Sequence, residues 1–297
     1  MQYGSIVSPR VMASLVAARE AGFLLGIATG RPLCIVTKSV LESGVMDFAL
    51  CSNGATVARL SDGVELVANH LSQEDALDCY EMLESYHPAW NAFFDGRAYF
   101  EWRGASYMLT GRTGAIARAM RREDQGSGIL RLVKIGKRGI RFFLRMVPKG
   151  GNRQVVSIRR HLLNARGDIE KMGCTIVDRA ACVEVEQLLR ADGRFEVVSM
   201  SEQELEITAR GVTKGTGATA LLRAVGIERG RSVAFGDGGN DLPLASAVGR
   251  FVAMGNADED VKEAAFEVCP PVSEDGVAVW IENMLAAGGL EEGVRYV

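Results

Sequence analysis

Residues 231–244, RSVAFGDGGNDLPL, decide how this chain is read. An apolar run from Val233 to Phe235 feeds a glycine-dense turn that presents Asp237 and Asp241, with Asn240 between them. A buried strand ending this way puts hard oxygen ligands at the carboxyl end of a parallel sheet. Open α/β sheets bind ligands there, and Mg²⁺ finds oxygen donors there beside a phosphate. The pattern predicts metal-assisted phosphate chemistry.

The same texture recurs near the amino terminus. Ser8 reads as an N-cap and Pro9 as a first helical position, with apolar residues at helical spacing up to Gly22. Residues 23–28 read as an apolar strand ending in Thr29-Gly30-Arg31-Pro32, followed by a helix over residues 32–42. A second strand, residues 48–51, ends in Ser52-Asn53-Gly54-Ala55. Helices alternating with apolar strands make βαβ units and a parallel sheet. The texture then changes. Hairpins are expected at 56–60 with 64–67, and around Asp95-Gly96, with a helix opening at Ser72 and running to about residue 86. Helices near residues 109–122 and 152–164, and strands near 130–135, 140–146, 175–177, 195–200 and 204–207, complete this stretch. The α/β pattern resumes at Gly211, with a helix from Lys214 and a last helix over 277–285. The fold class is therefore α/β with an inserted α+β module. The expected division is core 1–56 and 208–286, insert 57–207, and a loosely held tail 287–297.

Bulk properties fit a globular protein of one large or two modest domains: 297 residues, 47% hydrophobic and 24% charged. No apolar run is long enough to span a bilayer, and no signal-peptide pattern opens the chain. The six cysteines are scattered without a Cys-x-x-Cys pair and read as reduced core residues, which implies a cytoplasmic location. The net charge of −3 hides an asymmetry: residues 97–166 carry seventeen Lys and Arg against Glu101, Glu123 and Asp124. A solvated basic face and an electropositive lid for phosphorylated substrates both explain this. Nucleic acid is disfavoured, because the region has neither zinc-finger spacing nor an aromatic-rich RNA-binding motif. Oligomeric state is not legible.

Four segments fall at strand ends or helix starts, where side chains converge. Thr29 offers a hydroxyl and Gly30 a backbone N–H, both suited to a phosphate oxygen. In Gly211-Val-Thr-Lys214-Gly-Thr-Gly, Lys214 stands at a glycine-flanked helix start, where an ammonium neutralises a phosphoryl group or holds a carboxylate ionised. The Walker A spacing is absent. Asp237 is expected to coordinate Mg²⁺ directly, Asn240 to donate to phosphate or a bound water, and Asp241 to bind the metal through water or orient its neighbours. Ser52-Asn53-Gly54-Ala55 lines the cleft near the substrate.

The order Thr-Gly-Arg-Pro, Ser-Asn-Gly-Ala, Gly-Val-Thr-Lys-Gly, Gly-Asp-Gly-Gly-Asn-Asp resembles the haloacid-dehalogenase-like hydrolases, and more narrowly the Cof-type phosphatases with a large α/β cap. Val252-Ala-Met-Gly-Asn-Ala257 and Asp275-Gly-Val277 resemble the tail of that family's core. The likeness runs from about Ser8 to Leu285. It implies a Rossmann-like catalytic core, a cap inserted after Ser-Asn-Gly-Ala, and small phosphorylated metabolites, such as sugar phosphates, as substrates. The matching positions imply Thr29, Gly30, Lys214 and Asn240 at the phosphate, Asp237 and Asp241 at Mg²⁺, and Arg31, Asn53 and Gly54 along the cleft.

One family element has no counterpart. Members begin with an apolar strand ending in Asp-x-Asp-Gly-Thr, whose first Asp attacks phosphorus to form an aspartyl phosphate and whose second is the general acid and base. Seven residues, none acidic, precede Ser8, and the first Asp is Asp47. Phe93-Phe94-Asp95-Gly96 is superficially similar to the motif, but it lacks the paired Asp and the Thr and reads as a hairpin turn. The chain as written is therefore expected to be inactive. Either the reading of the gene is shortened, or the product binds a phosphorylated ligand or partner without catalysis. Loss of a central strand would orphan backbone groups on both neighbours, which favours the first.

Overall fold

In the computed structural model, residues 7–101 and 152–288 are described. The expected helix over 109–122 and strands over 130–146, with most of the basic stretch and the tail from residue 289, lie outside them. The chain divides into two compact units, Met1–Asn69 with Gly211–Val297, and His70–Arg210. These limits compare with the expected 56/57 and 207/208. The difference is the hairpin of β3 (Thr56–Arg59) and β4 (Glu65–Ala68), which pairs antiparallel with β2 (Phe48–Cys51) and so extends the first unit's sheet.

The first unit opens with α1 (Pro9–Glu20), where the Ser8 hydroxyl accepts the Val11 N–H at 3.1 Å, as the Ser-Pro start predicts. β1 (Gly26–Ala28) runs parallel to β2. The expected helix at 32–42 is replaced by a 3-10 turn (Leu33–Ile35) and the single turn α2 (Lys38–Leu41). The β-branched residues Ile35, Val36 and Thr37 run from the end of that turn to α2, and Val36 is extended, with φ −63° and ψ 142°. The carboxyl-terminal half of the unit begins with α6 (Lys214–Val225). It continues through the parallel strands β11 (Val233–Gly236), β12 (Arg250–Met254) and β13 (Glu267–Cys269), with α7 (Leu244–Ala247) and α8 (Glu259–Ala264) between them, and ends on α9 (Gly276–Ala286).

Two sheets thus form, in the orders β1-β2-β3-β4 and β11-β12-β13. They share a hydrophobic cluster: Phe48, Leu50 and Val57 pack with Phe251, Val252 and Ala253 through Ala218 and Leu221 of α6. α1 packs against α9, and Arg10 pairs with Glu282 at 2.6 Å. From α9, Trp280 meets Phe235 of β11 edge-on, with centroids 5.2 Å apart. Among the described residues, β1 pairs only with β2 and β11 only with β12. Leu25 O accepts from Phe48 and Thr29 N–H donates to Leu50, so alternation turns the peptide groups of Gly26 and Ala28 away from β2. Ser232 O accepts from Arg250, so Val233 and Phe235 likewise face away from β12. Gly26 and Ala28 are exposed and β11 is half-exposed at Val233–Phe235, although both are apolar strands of a parallel sheet, which is normally buried.

Among the described residues, the second unit forms a six-stranded sheet, ordered β7-β6-β5-β8-β10-β9, with α3 (Gln73–Met82), α4 (Ile158–Leu162) and α5 (Arg179–Asp192). Its strands are β5 (Ala89–Phe94), β6 (Arg97–Glu101), β7 (Asn152–Val155), β8 (Lys171–Thr175), β9 (Phe195–Ser201) and β10 (Glu204–Ala209). The turn between β5 and β6 has φ 51° at Asp95 and 65° at Gly96, the Asp-Gly hairpin geometry expected. β7 replaces the first part of the helix expected over 152–164, and α4 is only its remainder. The sequence reading omitted α5, though Asp178 caps its start through the Ala180 N–H and Gly193 ends it in the left-handed conformation. Cys79, Cys174 and Cys182 lie in this unit's core, and all six cysteines are free thiols.

Candidate active site

The glycine-dense turn is held from within by its last residue. Asp241 is buried, and its Oδ2 accepts the backbone N–H groups of Asp237 at 3.0 Å and Gly238 at 3.2 Å. Its Oδ1 accepts from Lys214 Nζ at 2.5 Å. Both side chains are 7% exposed, so this is an ion pair away from solvent. Lys214 reaches it from the first turn of α6, whose start is fixed by a reciprocal capping box between Thr213 and Thr216. The arrangement leaves the Asp237 carboxylate exposed at the mouth of the turn, with no hydrogen-bond partner among the described residues.

Asn240 Nδ2 donates to Asn53 Oδ1 at 3.2 Å, and Asn53 N–H donates to Thr29 O at 3.2 Å. Three strand ends, β1, β2 and β11, are therefore tied by two hydrogen bonds. Ser52 and Asn53 are buried non-glycine residues in left-handed conformation, with φ 49° and 57°. Gly54 follows at φ 104°, and a Cβ there would lie 2.2 Å from Thr213 O. At Gly215 an added Cβ would lie 2.3 Å from Pro243 O. These two glycines let α6 approach both strand ends, which brings Lys214 to the turn. The Thr29 hydroxyl accepts the Arg31 N–H at 3.1 Å and keeps its own proton to donate. Arg31 is exposed, while Asn53 and Gly54 are buried.

The sequence reading named Lys214, Asp237, Asn240 and Asp241 but not the bonds among them. The Lys214–Asp241 pair and the Asn53–Asn240 bond join residues 27 and 187 positions apart, which no local pattern encodes. Asp47, the first Asp of the chain, sits at the opposite end of β2. Its carboxylate accepts Leu25 N–H at 2.9 Å and pairs with Arg19 at 3.0 Å, so it takes a structural place far from Thr29 along the strand. Among the described residues no three His, Cys, Asp or Glu side chains cluster as a ready-made metal cage. Mg²⁺ does not need one: it keeps several waters and takes one or two carboxylates beside substrate phosphate, a role the uncommitted Asp237 fits.

A family model described as haloacid dehalogenase-like hydrolase matches residues 1–281. An uncharacterised Geobacillus stearothermophilus protein is 41% identical over 83 residues, 28% of this chain and 87% of that protein. The 5-amino-6-(5-phospho-D-ribitylamino)uracil phosphatase of Bacillus subtilis is 33% identical over 113 residues, 38% of this chain and 45% of that enzyme. The matched part thus spans under half of that characterised relative. Among solved structures, a haloacid dehalogenase-like hydrolase from B. subtilis has a TM-score of 0.73 at 22% identity, covering 94% of this chain and 93% of its own. A sugar phosphatase of subclass IIB has a TM-score of 0.68 at 22% identity, covering 95% and 92%. These likenesses agree with a mixed α/β core and cap. The chain belongs to the haloacid dehalogenase-like hydrolases.

Proposed function

We propose that this protein's site serves Mg²⁺-dependent hydrolysis of phosphate monoesters on small, sugar-phosphate-like metabolites, and that the 297 residues supply its phosphate- and metal-binding groups but not the Asp-x-Asp pair of nucleophile and general acid. The observation carrying this reading is the buried Lys214–Asp241 pair, whose carboxylate also holds the Asp237 and Gly238 amides. It fixes an ammonium beside a turn that leaves Asp237 to solvent. The Thr29 hydroxyl and Gly30 N–H would hold two phosphate oxygens, and Asn240, with one amide N–H already on Asn53, would donate the other. Lys214 would offset the charge on phosphate, and Asp241 would keep Lys214 and the turn in place. When bound, Mg²⁺ would supply charge neutralisation at the phosphate, with Asp237 as its carboxylate. Arg31 would extend along the cleft to the substrate body. In family terms the attacking carboxylate belongs to an Asp-x-Asp-Gly-Thr strand. No described acidic residue occupies that role: Asp241 is committed to Lys214, and Asp47 lies at the other end of the sheet.

Calorimetric titration of Mg²⁺ with inorganic phosphate present tests the binding half. Uptake that needs both partners and is lost in Asp237→Ala is expected. Uptake unchanged in that variant would remove Asp237 from the site.

A further inference from the structure

The second unit holds a cationic cavity whose lining includes none of the residues assigned above to phosphate or Mg²⁺. It measures about 280 Å³ and is lined by Asp95, Arg97, Tyr99, His161, Asn164 and Arg166. The Asp95-Gly96 turn sets Arg97 at the first position of β6. Asp95 Oδ2 accepts the Arg166 backbone N–H at 3.2 Å, tying the segment after α4 to that same turn. Asn164 Nδ2 donates to Arg160 O at 2.6 Å, which leaves its carboxamide oxygen as the outward atom. The floor is aromatic: Phe94 and Tyr99 stack at 4.4 Å, and His161 lies 5.1 Å from Tyr99.

Charge sets the ligand class. Neither the Arg97 nor the Arg166 guanidinium has a carboxylate partner among the described residues, and Asp95 is the cavity's one acidic group. Burial, with Arg160 and Arg153 close by, holds His161 below the ordinary histidine range, so cations surround this edge of the unit. Each guanidinium offers a planar fork of N–H donors, the geometry that grips tetrahedral oxyanions. We infer that this cavity is a binding site for a dianionic phosphate group, either inorganic phosphate or the phosphoryl end of a small ester, distinct from the site around Asp237. A cavity of about 280 Å³ fits such a group with a short body and excludes a dinucleotide. The inference does not depend on the function proposed for the first unit.

The chain has three histidines, His70, His87 and His161, so ring-proton NMR of the full chain reads the site directly. Inorganic phosphate is titrated with EDTA present, so that the Asp237 site has no metal, and at constant ionic strength. Saturable movement of the His161 signal is expected, half-complete at about 5 mM or below. It should weaken at least about tenfold in Arg97→Gln/Arg166→Gln and persist in Asp237→Ala. Both arginines are exposed, so unchanged His70 and His87 signals should show the variant folded; Arg97→Gln alone, with about threefold weakening, serves if it is not. A parallel titration with glucose 6-phosphate separates the sources: tighter binding than phosphate assigns the site to esters, equal binding to the free anion. No saturable movement up to about 50 mM, the same movement with chloride, or movement indifferent to both arginine variants would overturn the inference.

Discussion

Replacing Asp241 by Asn should damage this protein more than replacing its partner, Lys214, by Met. The asymmetry follows from the partners each group keeps. Asp241→Asn leaves the Lys214 ammonium 7% exposed and without its carboxylate, while the amide oxygen can still accept from Asp237 and Gly238. Stranding one member of a buried pair costs about 3–5 kcal/mol. Lys214→Met removes the charge that is hard to bury and leaves Asp241 with two backbone N–H donors, so about 1–2 kcal/mol is expected. With an m-value of about 2 kcal/mol/M, the urea midpoint of the first unit should fall by roughly 1.5–2.5 M in the first variant and 1 M or less in the second. The double variant should lose less than the sum of the singles, by about 1.5 kcal/mol or more. Equilibrium urea unfolding followed by circular dichroism measures all three. A larger loss for Lys214→Met, or losses that simply add, would refute the pinning role given to Asp241.

Native-state hydrogen exchange should separate the two edges of β1 and β11: amides of Gly26, Ala28, Val233 and Phe235 should exchange at least about a hundredfold faster than those of Ile27 and Ala234. Equal protection would mean that those edges are covered. Gly54→Ala should cost about 3 kcal/mol or more, because the left-handed backbone and the Thr213 carbonyl both oppose a side chain, and thermal unfolding that shifts little would contradict the packing. Burial pushes the Cys79 thiol up to about 12, so in native protein at pH 8 a thiol reagent should reach Cys34, the one cysteine not fully buried, well before Cys79. Labelling of Cys79 first, read by peptide mass, would contradict the core assignment.

The parts of the site that follow local rules were legible. A Thr-Gly after one apolar strand, a glycine-dense acidic turn after another and a lysine at a capped helix start each declare themselves by residue type. What joins them was not. Asp241 read as a ligand through water or a positioning group, and only the fold shows its oxygens turned to Lys214 and the Asp237–Gly238 amides. Asn53 read as cleft-lining, yet its carboxamide bridges to Asn240 from a buried, left-handed position. Secondary structure failed where propensity and pattern conflicted. A helix was expected over 32–42, and the chain forms only a 3-10 turn and one helical turn there, with the β-branched residues 35–37 at their junction. Residues 152–155 read as helical and form a strand, because pairing with β6 outweighs local preference. Helix α5 carried clear caps, Asp178 and Gly193, and those were the overlooked signal.

The most direct test compares this chain with the same chain preceded by an apolar strand ending in Asp-x-Asp-Gly-Thr, using an aryl phosphate with Mg²⁺ as substrate. The site geometry predicts turnover only in the extended protein, abolished there by Asp237→Ala. Robust turnover by the 297 residues alone, lost in Asp237→Ala, would show that another residue already acts as the nucleophile, and an inactive, well-folded extended protein would show that this is not a phosphatase site.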